Sequence, residues 1–242
     1  MNRSINSMKQ AAANLAVSYI QSGTVVGLGS GSTARLAVQR LAEKLASDET
    51  QNIHGIPTSV EIEIFASQLG IPLTTLEEHP VIDVTIDGAD EIDPDFQLIK
   101  GGGGALLREK IVAQASRRVI IIADESKRSS ILGTHWPVPI EVLSFGWVSQ
   151  SRFLTAIGGH PKVRLQEDGS AFKTDQGNII LDCDFGPIEN LHSLALELDQ
   201  RAGIIAHGLF LDIATEVILC GTDGCRHLTR APHLEKERGV KW

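Results

Sequence analysis

The chain has no uninterrupted apolar run of the roughly 18 residues that a bilayer span requires, so no membrane-spanning helix is expected. Cysteine is scarce. Cys183, Cys220 and Cys225 are an odd number without a C-x-x-C pair, which predicts reduced thiols rather than a disulfide framework and offers no metal cage. Basic residues are in deficit, with 22 Lys and Arg against 30 Asp and Glu and a net charge of −8. They are scattered rather than gathered into a stripe, which argues against nucleic acid as a partner. There is no repeat at solenoid spacing and no low-complexity tract. What remains is 242 residues with 42% hydrophobic and 21% charged side chains, a folded chain of one sizeable domain or one domain plus a smaller one. The N-terminus lacks an apolar signal core. Instead Ala12, Leu15, Ala16, Tyr19 and Ile20 recur at helical spacing and predict an amphipathic helix, so the expected location is cytoplasmic.

After Gly23, the run TVVGL (Thr24–Leu28) reads as a buried strand, and Gly29–Ser32 as a turn leading into a helix that extends to about Ala46. The alternation continues with a strand at Ile53–Pro57, a helix over Ser59–Leu69, strands at Pro72–Leu76 and Val81–Ile86, a helix over Ala105–Arg117 and a strand at Val119–Ala123. Such alternation predicts a doubly wound α/β fold with a mostly parallel sheet. The texture changes near His135. A proline-flanked strand in WPVPIEVL, a helix over Val148–Ile157, short strands at Lys162–Leu165, Ala171–Thr174 and Asn178–Asp182, and a helix over Leu191–Arg201 predict a smaller α+β domain. The run Ala214–Cys220 is expected to rejoin the first sheet, making residues 135–208 an insertion between 1–134 and 209–242, with a role as a lid or an oligomer contact. The charged tail, residues 233–242, reads as solvated.

Ligands of open α/β sheets lie beyond the carboxyl ends of the strands. Three polar segments and a fourth cluster, ADESK, fall there. In GLGSGSTA (Gly27–Ala34), glycines allow close backbone approach and Ser32 and Thr33 open a helix, which suits a phosphate or, equally, an ordinary glycine turn with a serine cap. A dinucleotide fingerprint fits poorly, because Ser32 takes the place of its last glycine and no acidic residue closes the second strand. No Gly-Lys pair follows for a Walker loop. In DGADEIDPD (Asp87–Asp95), Asp87 and Asp90 are three apart around Gly88 and Ala89 and can face one cleft. Glu91, Asp93 and Asp95 read as a solvated acidic loop, with Asp95 serving a turn. EF-hand spacing is absent. In KGGGGALLREK (Lys100–Lys110), N–H groups of the glycines beside Lys100 would suit an oxyanion, and Glu109 lies in the first turns of the following helix. A base and an electrophile are thus close in sequence, although Glu109 alone also reads as a surface residue favoured by the helix dipole. In ADESK, Asp124 and Lys127 follow a strand at the same sheet edge, where Lys127 is either an anion contact or simply solvated.

These four blocks, in this order, resemble ribose-5-phosphate isomerase of the type A family. The likeness spans most of the chain, because GIPTS (55–59), SSILG (129–133), PVPIEV (137–142), TDQGNIILD (174–182) and HGLF (207–210) are similar to that family too. It implies an aldose-ketose isomerase that interconverts D-ribose 5-phosphate and D-ribulose 5-phosphate in the pentose phosphate pathway through an enediolate, without metal or organic cofactor. By the same resemblance, Glu109 is the base that moves the proton, Asp87 assists ring opening, and Asp90 and Lys100 bind hydroxyls and steady the enediolate. Gly88, Ala89 and the Gly101, Gly102 and Gly103 backbone line the site, and Lys9, Ser30, Gly31, Ser32, Thr33 and Lys127 contact substrate and phosphate. The loop reads GSGST where GTGST is also common, so Ser30 keeps the hydroxyl and lacks a methyl. A homodimer or a pair of dimers is implied as well.

A carboxylate base of ordinary pKa, about 4.3, makes proton abstraction beside a carbonyl uphill, so the forming oxyanion needs Lys100 and the glycine N–H groups. Three rival readings are a sugar-phosphate sensor, an amino-sugar phosphate deaminase and a Mg²⁺-dependent isomerase. The first needs a DNA-binding module, for which the single helix before the first strand leaves no room.

Overall fold

The computed structural model describes residues 4–230, and the tail expected to be solvated, 233–242, lies outside them. The chain runs α1 (Ile5–Val17), β1 (Val25–Leu28), α2 (Ser32–Ala46), β2 (His54–Pro57), α3 (Val60–Gln68), β3 (Val84–Asp87), β4 (Glu91–Ile92), β5 (Leu98–Ile99), α4 (Leu106–Gln114) and β6 (Val119–Asp124). It continues through β7 (Val138–Val142), α5 (Trp147–Ala156), β8 (His160–Val163), β9 (Ile179–Asp184), α6 (Leu191–Asp199), β10 (Ile204–His207), β11 (Leu209–Phe210), β12 (Glu216–Gly221) and β13 (Gly224–Thr229).

The main sheet has the order β13-β12-β6-β3-β1-β2, parallel throughout except for the β12–β13 hairpin. The α/β reading therefore holds, and the Ala214–Cys220 run does return to this sheet as β12. Strand periodicity sorts its side chains onto two faces. Ile120, Ile122 and Ile218 pack with α1, α2 and α3 on one face, while Val119, Ile121, Val217 and Leu219 meet Leu106 and Ala113 of α4 on the other. Helices as short as the nine-residue α3 and α4 are marginal alone, so this packing holds them. Side chains define several starts. Ser4, Ser59 and Asn190 accept N–H bonds from Ser7, Ile62 and Ser193, capping α1, α3 and α6.

The strands between Val138 and His207 form a separate antiparallel sheet, β10-β7-β9-β8, with α5 and α6 on one face. A third, three-stranded sheet, β11-β5-β4, joins the two.

Several local expectations change. Pro72–Leu76 is not a strand. Only Leu73 bridges to Gly55, at the far side of β2, where the chain passes the sheet edge once. The helix α4 stops at Gln114 rather than Arg117, because the Arg117 N–H turns to the Ile82 carbonyl. Nor are all three thiols free. Cys220 and Cys225 face one another across the β12–β13 hairpin, Cα atoms 4.0 Å apart, and are joined as a disulfide, whereas Cys183 is free and buried. A spacing of five around a two-residue turn brings them into cross-strand register, a pairing that the C-x-x-C criterion does not cover.

Candidate active site

β1 and β3 are neighbours in the main sheet, yet the chain leaves β1 toward β2 on one side and leaves β3 toward β6 on the other. A crevice opens at such a switch point. The loop after β1 turns over the end of β3, with the Gly29 N–H on the Ile86 carbonyl at 3.0 Å. A Cβ on Gly29 would lie 2.2 Å from Asp87 Oδ1 and 2.5 Å from the Ile86 carbonyl oxygen, so only glycine lets the two loops pass this closely. Gly31, at φ +86°, then starts α2, whose first turn faces the crevice.

Beneath the crevice lies a buried ionic group. Asp87 Oδ1 accepts the N–H groups of Ser30 (3.1 Å) and Gly88 (2.7 Å), and Oδ2 is 3.0 Å from Lys100 Nζ. Lys100 Nζ also donates to the Gly88 carbonyl (2.6 Å) and to Glu109 Oε1 (3.2 Å). All three side chains are at most 6% exposed. Lys100 comes from the end of β5, whose N–H is fixed on the Gly208 carbonyl, and Glu109 from the first turn of α4.

Two carboxylates share one ammonium here. Burial pushes Glu109 up to about 8, with Lys100 opposing and the charges of Asp87 and Asp90 adding to the rise. Burial pushes Asp87 up too, against the pull of Lys100. Burial alone would lower Lys100, but Asp87 and Glu109 outweigh it and hold the ammonium above the usual lysine range. Both Asp87 oxygens are taken by donors, whereas Glu109 has Oε1 on Lys100 and, among the described residues, no partner on Oε2, so less opposes the rise that burial causes at Glu109. The carboxyl of Glu109 therefore departs from the ordinary pKa expected of it, because it is desolvated.

Of the residues expected to act in catalysis or to touch substrate, all but Asp87 line one cavity. Glu109, Asp90 and Lys100 form its inner end with Gly88 and Ala89, the Gly101, Gly102 and Gly103 backbone forms one wall, and Ser30, Gly31, Ser32, Thr33, Lys9 and Lys127 surround the rest. Asp87 lies behind Lys100, with Oδ2 3.0 Å from that ammonium. Lys9 arrives from α1, with Nζ 3.0 Å from Ser32 Oγ. Lys127, in a single 3₁₀ turn whose Ser126 N–H bonds to Asp124, rests Nζ 4.8 Å from the Trp136 ring centre. Asp90 Oδ2 accepts the Gly102 N–H at 2.7 Å.

The solvated reading of the acidic loop fails at Glu91, while Asp95 is exposed as expected. Glu91 is fully buried, and its carboxylate accepts the N–H groups of Gly133, His135 and Trp136, which ties the start of the smaller sheet to the site. Asp93 rather than Asp95 makes the turn, accepting from the Asp95 and Gln97 N–H groups. Sequence reasoning also missed Thr58 and Ser59, whose hydroxyls hold Ser30 Oγ at 2.7 and 2.8 Å. Their position just after β2, in GIPTS, was the available signal.

A sequence model of the family described as ribose 5-phosphate isomerase A (phosphoriboisomerase A) matches residues 54–224. The chain belongs to the ribose-5-phosphate isomerase A family. It is 53% identical over 226 residues to the ribose-5-phosphate isomerase A of Desulfatibacillum aliphaticivorans, covering 93% of this chain and 98% of that one. The corresponding protein of Chloroflexus aurantiacus is 51% identical, with 93% and 95% covered. A D-ribose-5-phosphate isomerase solved in complex with phospho-erythronic acid superposes with a TM-score of 0.92 at 36% identity, covering 94% of this chain and all of that one. The Plasmodium falciparum ribose 5-phosphate isomerase gives a TM-score of 0.90 at 41% identity, with 93% and 98% covered. Family members thus share both the parallel sheet and the smaller sheet of this chain.

Proposed function

We propose that the chain interconverts D-ribose 5-phosphate and D-ribulose 5-phosphate by moving one proton between C1 and C2 through an enediolate. The observation that carries this reading is a buried carboxylate with one unpartnered oxygen, Glu109 Oε2, in a cavity beside a buried ammonium. Such a pair can remove a proton beside a carbonyl and neutralise the oxyanion that forms. Glu109 is the base, and Lys100 is the cation that faces the developing charge. Asp90 holds sugar hydroxyls. Asp87 does not touch the sugar in this scheme but fixes Lys100 from behind. The phosphate rests on the first turn of α2 at Ser32 and Thr33, flanked by Lys9 and Lys127, where helix N–H groups and two ammonium groups favour a dianion. Because the phosphate end is remote from C1 and C2, its binding orients the sugar without taking part in proton transfer.

The test is conversion of ribose 5-phosphate to ribulose 5-phosphate, with and without EDTA, and with an amino-sugar phosphate as the alternative substrate. Rapid conversion that EDTA does not slow, with no deamination, is expected. Loss of activity with EDTA would return Asp87 and Asp90 to consideration as Mg²⁺ ligands, and binding without turnover would favour a sensor.

Residues 135–208 act as an inserted unit in this reading, and the protein works as a homodimer in the cytoplasm. Leu143, Phe145 and Val148 are exposed on that unit, Phe145 by 93%, and give a contact between copies an apolar surface to cover. Sedimentation is expected to give twice the 26.1 kDa chain mass or more, and Phe145→Ser to shift it toward the monomer. A monomeric parent protein would remove the dimer from this reading.

A further inference from the structure

The four-glycine loop, so permissive in sequence, is held from outside. Arg164, just after β8, extends its guanidinium to the loop, and Nη1 donates to the Gly101 carbonyl at 2.8 Å and to the Gly102 carbonyl at 3.1 Å. The rest of the fork is occupied by Asp182 of β9, with Nε on Oδ2 at 2.9 Å and Nη2 on Oδ1. This two-pronged pairing fixes the plane of the guanidinium, and the Arg164 side chain is only 15% exposed. A trans peptide points its C=O and its following N–H in opposite directions. With the Gly101 carbonyl on Arg164, the Gly102 N–H points away from it, and Asp90 Oδ2 takes that hydrogen at 2.7 Å. The next peptide also has its carbonyl on Arg164. Its N–H belongs to Gly103, which lines the cavity and has no protein acceptor among the described residues.

We infer that Arg164 is a positioning residue for catalysis, which turns these two peptides so that Asp90 is anchored and the Gly103 N–H is presented to an oxygen of the bound sugar phosphate. The Gly104 N–H shares the Gly101 carbonyl at 2.9 Å and Asp90 holds the Gly102 N–H, but among the described residues Arg164 is the donor on the Gly102 carbonyl, so without it the glycine peptide that carries the Gly103 N–H can rotate at little steric cost. The smaller sheet thereby contributes to the reaction without lending a side chain to the cavity.

The inference rests on the isomerase reading. Its test compares kcat and KM for ribose 5-phosphate, inhibition by phospho-erythronic acid, and thermal midpoints across the unmodified protein, Arg164→Met, Arg164→Lys and Arg164→Met/Asp182→Asn. Losing one oxyanion donor costs about 10²- to 10³-fold in rate, so Arg164→Met is expected to lower kcat by about 10²-fold, with KM within about threefold. The lysine variant, which can still reach the carbonyls, should recover about tenfold of that loss. The double variant, freed of an unpaired carboxylate, should keep the low kcat at a restored thermal midpoint. The inference is overturned if the double variant regains the kcat of the unmodified protein, if KM alone changes, or if activity follows thermal stability through the series. If the unmodified protein does not convert ribose 5-phosphate, the isomerase reading falls and takes this inference with it. Equal conversion by every variant removes the inference alone.

Discussion

Glu109→Gln is expected to lower kcat for ribose 5-phosphate by about 10³- to 10⁴-fold, toward the upper end of what a positioned general base contributes. Glutamine has nearly the same shape and keeps a carbonyl oxygen for Lys100, which in any case remains paired with Asp87 and the Gly88 carbonyl. The fold should therefore survive, and the KM should stay within a few-fold. What disappears is, among the described residues, the one carboxylate oxygen that is buried, unpartnered and on the cavity. The unmodified protein supplies the matching pH dependence. A base must be deprotonated to act, and burial raises Glu109 from 4.5 to about 8, so kcat/KM should climb with pH on an acid limb well above the ordinary glutamate range and level off beyond it. Initial rates from pH 5 to 9 check both statements. A glutamine variant with more than about a tenth of the parent kcat would place the base elsewhere.

The positions of these groups were legible because strand ends are where α/β sheets put their ligands, and polar segments follow apolar runs there. That rule located Ser30–Thr33, Asp87–Asp90 and Lys127 without any knowledge of the strand order. Sequence spacing could not tell Asp87 from Asp90, since both flank the same Gly-Ala turn. The difference arises because Asp87 is the last residue of β3 and points under the loop after β1, whereas Asp90 lies past the turn, where the Gly102 N–H holds it. Burial was equally hidden. The basicity of Glu109 depends on how completely α4, β5 and the glycine loop exclude water from it, a property of assembled layers rather than of the LREK segment. Long-range partners such as Glu91 with Gly133 and Arg164 with Gly101 are more than 40 residues apart, and no local pattern announces them. The two-residue strands β4, β5 and β11 are too short for periodicity to reveal.

Lys100→Met is expected to act on both the rate and its pH dependence. Removing a preorganised cation from the developing enediolate should lower kcat by about 10²- to 10³-fold. The same change strips Glu109 of the one charge that opposes its protonation, leaving Asp87 and Asp90 to push in the other direction. The acid limb of kcat/KM should therefore move to higher pH than in the unmodified protein, an effect that a purely steric role for Lys100 would not produce. Stability should follow the same titration. Taking one partner from a buried ion pair commonly costs about 3–5 kcal/mol, but that cost falls when the abandoned carboxylate can take up a proton. Glu109 has a folded pKa above its unfolded value of 4.5, so the folded state binds the extra proton and stability declines as pH rises from there through the folded pKa. In the methionine variant that decline should extend further into alkaline pH, because the folded pKa is higher still. Thermal midpoints and kcat/KM measured across the same pH series would show the two limbs moving together. An acid limb that stays in place would mean that a group other than Glu109 governs the rate.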